Sequence, residues 1–359
     1  MWSKIPLRET ELSLSKVLRC GQTFRWKNIH NVWSFSLQDR IILLKQDQEA
    51  LYYSSIPGKH HPGAANTPET LKFINDYFTL HINLEELYAS WKQSHSKFQR
   101  PRQRQEDASS PFERFTGIRI LRQDPWECLV SFICSSNNNV KRISKMCENL
   151  CVNFGEYVNE HEGHAYYAFP TPQQLSGDEV EAKLRELGFG YRAKYIHQTA
   201  KKFTSSAFVD ITRDKLDSLR DASYEEAHEF LLQLTGVGPK VADCICLMSL
   251  DKHEVVPIDT HVYQIAVRDY KYRGKRDVKT LNKEMHLSIR GFFRDIFGEY
   301  AGWAQSVLFA ADLSDLNNGT NVVEVEAEKT TPVVKREIAG DVAEAVKKIK
   351  VTSAIKVEN

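Results

Sequence analysis

Lys240 and Asp259 are the two side chains whose setting in the chain best suits reactive chemistry. Lys240 follows Thr235-Gly236-Val237-Gly238-Pro239, and Asp259 closes Val256-Pro257-Ile258-Asp259 nineteen residues later. Apolar runs flank the two glycines, so residues 231–250 read as helix, tight hairpin, helix. Pro239 takes a first helical position, where its missing N–H costs nothing, and Lys240 falls on the same turn. A free lysine titrates near ~10.4 and carries a proton at neutral pH. Burial and a helix N-terminus both disfavour the ammonium and would free a lone pair for attack. The other reading of Lys240 is a phosphate contact, and taken alone the residue fits both. Asp259 stands where a helix N-cap belongs. A carboxylate fixed by capping can also stabilise cationic charge developing at a sugar carbon as a base leaves. Direct pairing would raise the lysine pKa. The two are therefore offset, or Asp259 takes the ammonium proton before attack.

Two glycines between helices let backbone N–H groups approach a phosphate, and the helix N-terminus adds positive partial charge. Gly236 and Gly238 could grip a DNA backbone in this way, although a Gly-x-Gly between helices is commonly an ordinary corner. Cys244 lies one turn beyond Lys240 on the same face, as a core thiol or a pocket wall. His261, two residues past Asp259, is a packed or surface histidine by default and a phosphate contact as the alternative. By default, Asn137-Asn138-Asn139 are turn and cap residues, Arg142 and Arg192 are solvated, and Tyr191 is packing. Gly21, in Cys20-Gly21-Gln22-Thr23-Phe24-Arg25-Trp26, reads from its own neighbourhood as a bulge or turn.

The elements that must position these groups fall into an α+β arrangement. Short β-branched and aromatic runs at 32–37, 40–45 and 51–56 predict an antiparallel meander. Thr67-Pro68-Glu69 opens a helix, and a second covers roughly 84–92. The polar, basic stretch 93–110 reads as a solvated linker. From 111 to 313 apolar residues recur at three- and four-residue spacing. Helices are expected over 111–121, 125–135, 140–154, 179–187, 191–204, 224–234, 239–250, 260–269, 279–297 and 300–313, with no second sheet. Gly188, Gly190, Gly236 and Gly238 punctuate them. The domains expected are 1–110, an antiparallel β domain with flanking helices, and 111–316, a helical domain, followed by a disordered tail over 317–359.

The chain has 359 residues, 42% of them hydrophobic, enough for a large core. A net charge of +1 means that any nucleic-acid surface must be a local patch. The seven cysteines include no Cys-x-x-Cys, which suits reduced thiols inside a cell. No run of ~18 apolar residues predicts a membrane span. Glu9, Glu11 and the lack of an apolar segment near the start argue against a secretory signal.

The segment 236–248 together with 256–259 resembles the helix-hairpin-helix DNA glycosylases. Within them it is similar to the eukaryotic, fungal-type 8-oxoguanine DNA glycosylase/AP lyases. The likeness extends to Gly21-Gln22-Thr23-Phe24-Arg25-Trp26, Cys134-Ser135-Ser136-Asn137-Asn138-Asn139, Gly188-Phe189-Gly190-Tyr191-Arg192-Ala193 and Tyr300-Ala301-Gly302-Trp303-Ala304-Gln305, and so covers about residues 1–313. It implies an N-terminal antiparallel β domain joined to a helical glycosylase core, acting on double-stranded DNA with a flipped base. It implies Lys240 as the nucleophile at the sugar C1′, with β-elimination from its Schiff base, and Asp259 as transition-state stabiliser. Gly21 would offer its carbonyl to the N7 hydrogen that 8-oxoguanine has and guanine lacks. Cys244 and Phe309 would sandwich the base and Gln305 would bind its Watson–Crick edge. Asn137, Arg142 and Arg192 would read the orphaned cytosine with Tyr191 wedged into the duplex, and His261 would touch a phosphate. Some relatives hold an iron–sulfur cluster on four cysteines beyond the aspartate. No cysteine follows Cys246 here, so no metal and no cofactor is expected. Pro239 before the lysine and Thr260 after the aspartate are rarer variants. A monomer in the nucleus, with a mitochondrial pool open, completes the expectation. Its rivals are a monofunctional glycosylase in which Asp259 activates water, and a non-catalytic DNA-binding module. The first normally lacks the lysine, and the second leaves Asp259 and the Gly21 segment without purpose.

Overall fold

The computed structural model describes residues 2–63, 68–98, 110–273 and 283–313. The first layer is a five-stranded antiparallel sheet of order β1-β5-β4-β3-β2. Its strands are β1 (Ser3–Pro6), β2 (Lys27–Ile29), β3 (Val32–Ser36), β4 (Arg40–Gln46) and β5 (Ala50–Pro57), with the short helix α1 (Leu14–Val17) between the first two. The expected meander is present, and β1 adds to its outer edge. Strand β4 reads Ile41-Ile42-Leu43-Leu44 without polar alternation because both faces of the sheet are covered. Ile42 and Leu44 join Trp33, Leu51 and Ile74 in one apolar cluster, while Ile41 and Leu43 join Val158, Tyr166 and Ala168 in another.

The second cover is a hairpin of β6 (Tyr157–His161) and β7 (His164–Tyr167). It corrects the expectation of a single sheet. Its residues are mostly polar, with a bulge between Tyr157 and Asn159, so period-two alternation is hidden.

Helices α2 (Pro68–Tyr77) and α3 (Leu84–Ser96) come next. Helix α3 turns from the sheet and buries Leu84, Tyr88 and Trp91 in the helical core. The helix expected over 111–121 is only the single turn α4 (Pro111–Arg114), capped by Ser110. The reason is Gly117, at φ +77°, where a Cβ would stand 2.3 Å from the Glu9 carbonyl oxygen and 2.7 Å from the Ser13 nitrogen. The chain leaves this contact extended.

The remaining elements are α5 (Pro125–Ser135), α6 (Val140–Phe154), α7 (Val180–Glu186), α8 (Arg192–Thr204), α9 (Arg213–Ser218), α10 (Tyr224–Leu232), α11 (Pro239–Ser249), α12 (Thr260–Tyr270), α13 (Lys283–Phe297) and α14 (Ala301–Asp312). The sequence reading omits α9. Helices α5 and α11 are the centre of the core: every residue from Pro125 to Cys134 and from Val241 to Ser249 is buried. Helix α14 lies close on the loop before Pro257. The Gly302 N–H donates to the His253 carbonyl at 3.1 Å, and a Cβ on Gly302 would sit 2.2 Å from the Val255 oxygen. Two buried arginines are paired with carboxylates. Arg25 meets Glu127 at 2.6 Å, and Arg119 bonds to Glu11 and to carbonyls of Phe78 and Thr79. The stretch 99–109, most of the basic linker, and the tail from 317 lie outside the described residues.

Candidate active site

Helix α11 starts where the hairpin ends. Gly236 has φ +84°, a conformation that favours glycine, and a Cβ there would lie 2.7 Å from the Tyr195 ring. Gly238 is the N-cap, exposed, with Pro239 at the first helical position. Lys240, Cys244 and Met248 then recur one turn apart and line a single pocket. Asp259 enters it from the start of α12. Its Oδ1 accepts the N–H groups of His261 and Val262, both at 3.0 Å, so it is the N-cap. Its Oδ2 stands 4.0 Å from Lys240 Nζ. Capping fixes the carboxylate while the second oxygen faces the amine, and the pair is offset rather than closed.

The Lys240 ammonium is held above the ordinary lysine range. Cys244 contributes most, burial opposes it, and Asp259 adds to it. Cys244 is a buried thiol pushed up to about 11, hence neutral near pH 7, so Asp259 is the charge that counts there. Of the two directions the sequence leaves open for the amine, the raising one prevails over burial.

The pocket is a cleft open to solvent, with an internal volume of about 70 Å³. Gly21, Gln305 and Phe309 complete the group named from sequence. Gly21 has φ +86°, so glycine is required by backbone conformation. Space does not require it, since a Cβ would meet only Val140 at 3.7 Å and Phe309 at 3.9 Å. Its loop is clamped by the extended segment after Gly117. Gln22 Nε2 donates to the Arg119 carbonyl at 2.8 Å, the Leu121 N–H donates to Gln22 Oε1 at 3.0 Å, and Gln123 Nε2 donates to the Gln22 carbonyl at 3.0 Å. Phe132, Met248, Pro257, Val262 and Ser306 also line the pocket and were missed. Helical spacing from Lys240 and Cys244 points to Met248; the others come from elements whose packing sequence does not show.

His261 does not line the pocket. Its ring meets Phe309 edge-on at 5.2 Å, and its Nε2 lies 3.0 Å from Asp312 Oδ2. Asp312 was also missed, for it carries no motif and is placed only by the end of α14.

Asn137, Arg142, Tyr191 and Arg192 gather in a second cluster. Asn138 Nδ2 donates to the Cys134 carbonyl, and Asn139 caps α6 through the Arg142 N–H. These are the turn and cap roles that asparagines take by default. Asn137 is left exposed, with φ +49°. Arg192 is buried, donates to the carbonyls of Ser136 and Asn137, and its Nε has no hydrogen-bond partner among the described residues. The Tyr191 ring is 47% exposed beneath that guanidinium, a large aromatic face turned outward. Arg142 reaches the Gly188 carbonyl at 3.3 Å. The cluster borders the pocket through Val140, the first residue of α6, beside Gly21.

Residues 4–129 match the model of the 8-oxoguanine DNA glycosylase N-terminal domain, and residues 130–290 that of the HhH-GPD superfamily of base excision DNA repair proteins. The chain is 38% identical to the N-glycosylase/DNA lyase of Saccharomyces cerevisiae, over 91% of this chain and 90% of that protein. The chain belongs to the N-glycosylase/DNA lyase family. An Arabidopsis thaliana N-glycosylase/DNA lyase is 35% identical, over 87% of this chain and 80% of that one. Among solved structures, Clostridium acetobutylicum 8-oxoguanine glycosylase/lyase, in complex with double-stranded DNA containing cytosine opposite the lesion, superposes with a TM-score of 0.69. It is 27% identical and covers 89% of this chain and 98% of its own. The family's α+β fold, with an antiparallel sheet before a helical core, is the one described above. Among the described residues no helix is long and apolar enough to cross a membrane.

Proposed function

We propose that this N-glycosylase/DNA lyase family member excises 8-oxoguanine opposite cytosine from double-stranded DNA and then cleaves the abasic strand. The observation that carries the reading is the offset pair, with Lys240 Nζ 4.0 Å from Asp259 Oδ2 at the wall of a solvent-open pocket. Lys240 gives up a proton to solvent, and Asp259 stays ionised. The Lys240 lone pair then forms a bond to C1′ as the C1′–N9 bond breaks. The bonding electrons leave with the base, which takes up a proton. Asp259 stabilises the positive charge that builds on the sugar during this step. The sugar ring then opens: the C1′–O4′ bond breaks and O4′ takes up a proton. The nitrogen loses its second proton as the C1′=N bond forms, and protonation of that Schiff base makes the C2′ proton acidic. Its loss expels the 3′ phosphate by β-elimination.

In this reading the extruded base lies between Cys244 and Phe309, with Gln305 on its Watson–Crick edge. The Gly21 carbonyl accepts from N7–H of the lesion and repels the bare N7 of guanine. A polar contact left unmet in a built site discriminates strongly. Asn137, Arg142 and Arg192 take the orphaned cytosine, and Tyr191 fills the gap in the stack. The exposed ring of Tyr191 and the unpartnered Nε of Arg192 support those roles. Gly236 and Gly238 offer backbone N–H groups to a phosphate, and His261 contacts another on leaving Asp312. The domains act as a β part, residues 1–110, and a helical part, 111–316, with DNA bound between them. The protein works as a monomer in the nucleus, where its substrate is.

The test is incubation with a duplex carrying 8-oxoguanine opposite cytosine, with borohydride present. Free 8-oxoguanine and a covalent adduct mapped by peptide mass to Lys240 are expected. No released base, or an adduct on another residue, refutes the assignment.

A further inference from the structure

We propose that helix α8 is a strut that links reading of the base opposite the lesion to the placement of Lys240, with Tyr195 as the positioning residue in its joint. The inference rests on the functional reading above and extends it to a residue outside both the pocket and the cytosine-facing cluster.

The two ends of the strut are visible in the contacts of one helix. At its start, Tyr191 and Arg192 are tied to the loop bearing Asn137: the Tyr191 hydroxyl donates to the Ser136 carbonyl at 3.1 Å, and Arg192 donates to the carbonyls of Ser136 and Asn137. Further along, α8 presents Tyr195, Thr199 and Lys202, spaced four and three residues apart and so on one face. All three touch the hairpin that precedes Lys240. Thr199 Oγ1 donates to the Thr235 carbonyl at 3.0 Å, and Lys202 Nζ donates to the Gln233 carbonyl. The backbone of Gly236 lies flat on the Tyr195 ring, so close that a Cβ would stand 2.7 Å from its Cβ and Cδ2.

Tyr195 is also the bridge between the ends. Its ring meets the Tyr191 ring edge-on at 5.5 Å and also packs against Gly236, four residues before Lys240. A displacement of Tyr191 and Arg192, as when a base other than cytosine fills the opposite position, therefore reaches the hairpin through one half-buried aromatic ring. A hairpin that shifts carries the first turn of α11, and Lys240 Nζ leaves its line of attack. Displacements of about 1 Å are enough to cost on the order of 10²-fold in rate. The ring, not the hydroxyl, makes both contacts, so phenylalanine should serve in its place.

The experiment is single-turnover excision of 8-oxoguanine opposite cytosine and opposite adenine, by the full chain and by Tyr195→Phe and Tyr195→Leu. The wild-type chain and Tyr195→Phe should share one cytosine-to-adenine rate ratio. Tyr195→Leu should lose roughly tenfold or more opposite cytosine and far less opposite adenine, so that the ratio collapses. A merely structural tyrosine would lower both rates by the same factor or neither, and either result overturns the proposal. If Tyr195→Leu does not fold, Tyr195→His, with a smaller ring, is read by the same criteria. A wild-type chain that releases no base opposite cytosine refutes the functional reading and the strut together. An active wild type with an unchanged ratio in the leucine variant refutes only the strut.

Discussion

Helix α11 carries Lys240 and, three residues on, Asp243, and each faces a partner of opposite charge from another helix. Asp243 is fully buried. It takes Arg290 of α13 at 2.5 Å and the Tyr224 hydroxyl of α10 at 2.8 Å, with His228 3.6 Å away. Lys240 and Asp259 stand 4.0 Å apart, and each side chain is more than a third exposed. Burial pushes the Asp243 carboxyl up while Arg290 pulls it down, so its charge depends on partners that surround it. A closed pair joins three helices and keeps neither carboxylate oxygen for a third party. An open pair keeps one carboxylate oxygen and one amine for a third party. The same residue types thus serve as rivet or reagent, according to separation and solvent.

This contrast is sharpest under substitution. Lys240→Gln should remove the borohydride-trapped adduct and cost roughly 10⁴-fold or more in base release, as loss of a nucleophile does. Its urea midpoint should match the wild type. Persistence of the adduct would break the comparison. Asp243→Ala should act the other way, losing about 4 kcal/mol of stability because Arg290 is left buried and alone. Urea unfolding measures this, and an unchanged midpoint would show that the closed pair holds nothing together. Asp259→Asn should be intermediate, with excision down about 10²- to 10³-fold through loss of the charge. Its stability should shift by only a few tenths of a kcal/mol, since asparagine caps helices as well as aspartate.

The smallest effect expected is on pH. Cys244 and then Asp259 hold the Lys240 ammonium above its ordinary range, so the free-amine fraction is small near neutrality and grows with pH. Single-turnover excision should climb from neutral into alkaline buffer. Asp259→Asn removes one group that retains the proton and should move the climb to lower pH. A falling or flat wild-type profile would contradict a protonated resting lysine.

Much of this was legible in the chain. The hairpin, the cap at Asp259 and most helix bounds follow from glycine, proline and apolar spacing, which act locally. The pairing of Lys240 with Asp259 and its offset were both legible as possibilities, but the choice was not, because it depends on which carboxylate oxygen the cap engages. Which direction prevails at Lys240 was not legible for a related reason: sequence places the lysine on the helix start but does not show how closely Cys244 and Asp259 crowd it. The segment after Arg114 looks helical by periodicity, yet Gly117 lies against the backbone of residues 9–13, a contact made across more than a hundred positions. The β6–β7 hairpin escaped notice because its buried side chains, Val158, Tyr166 and Ala168, are too few to set a pattern.

Gly302 does not line the pocket, yet it bears on how wide the slot can be. Its missing methyl lets α14 lie against the loop leading to Asp259, and α14 carries Gln305 and Phe309 one and two turns further on. Any side chain at 302 would lever that wall outward. The width of the pocket is thereby set from behind its lining, by an atom the chain leaves out.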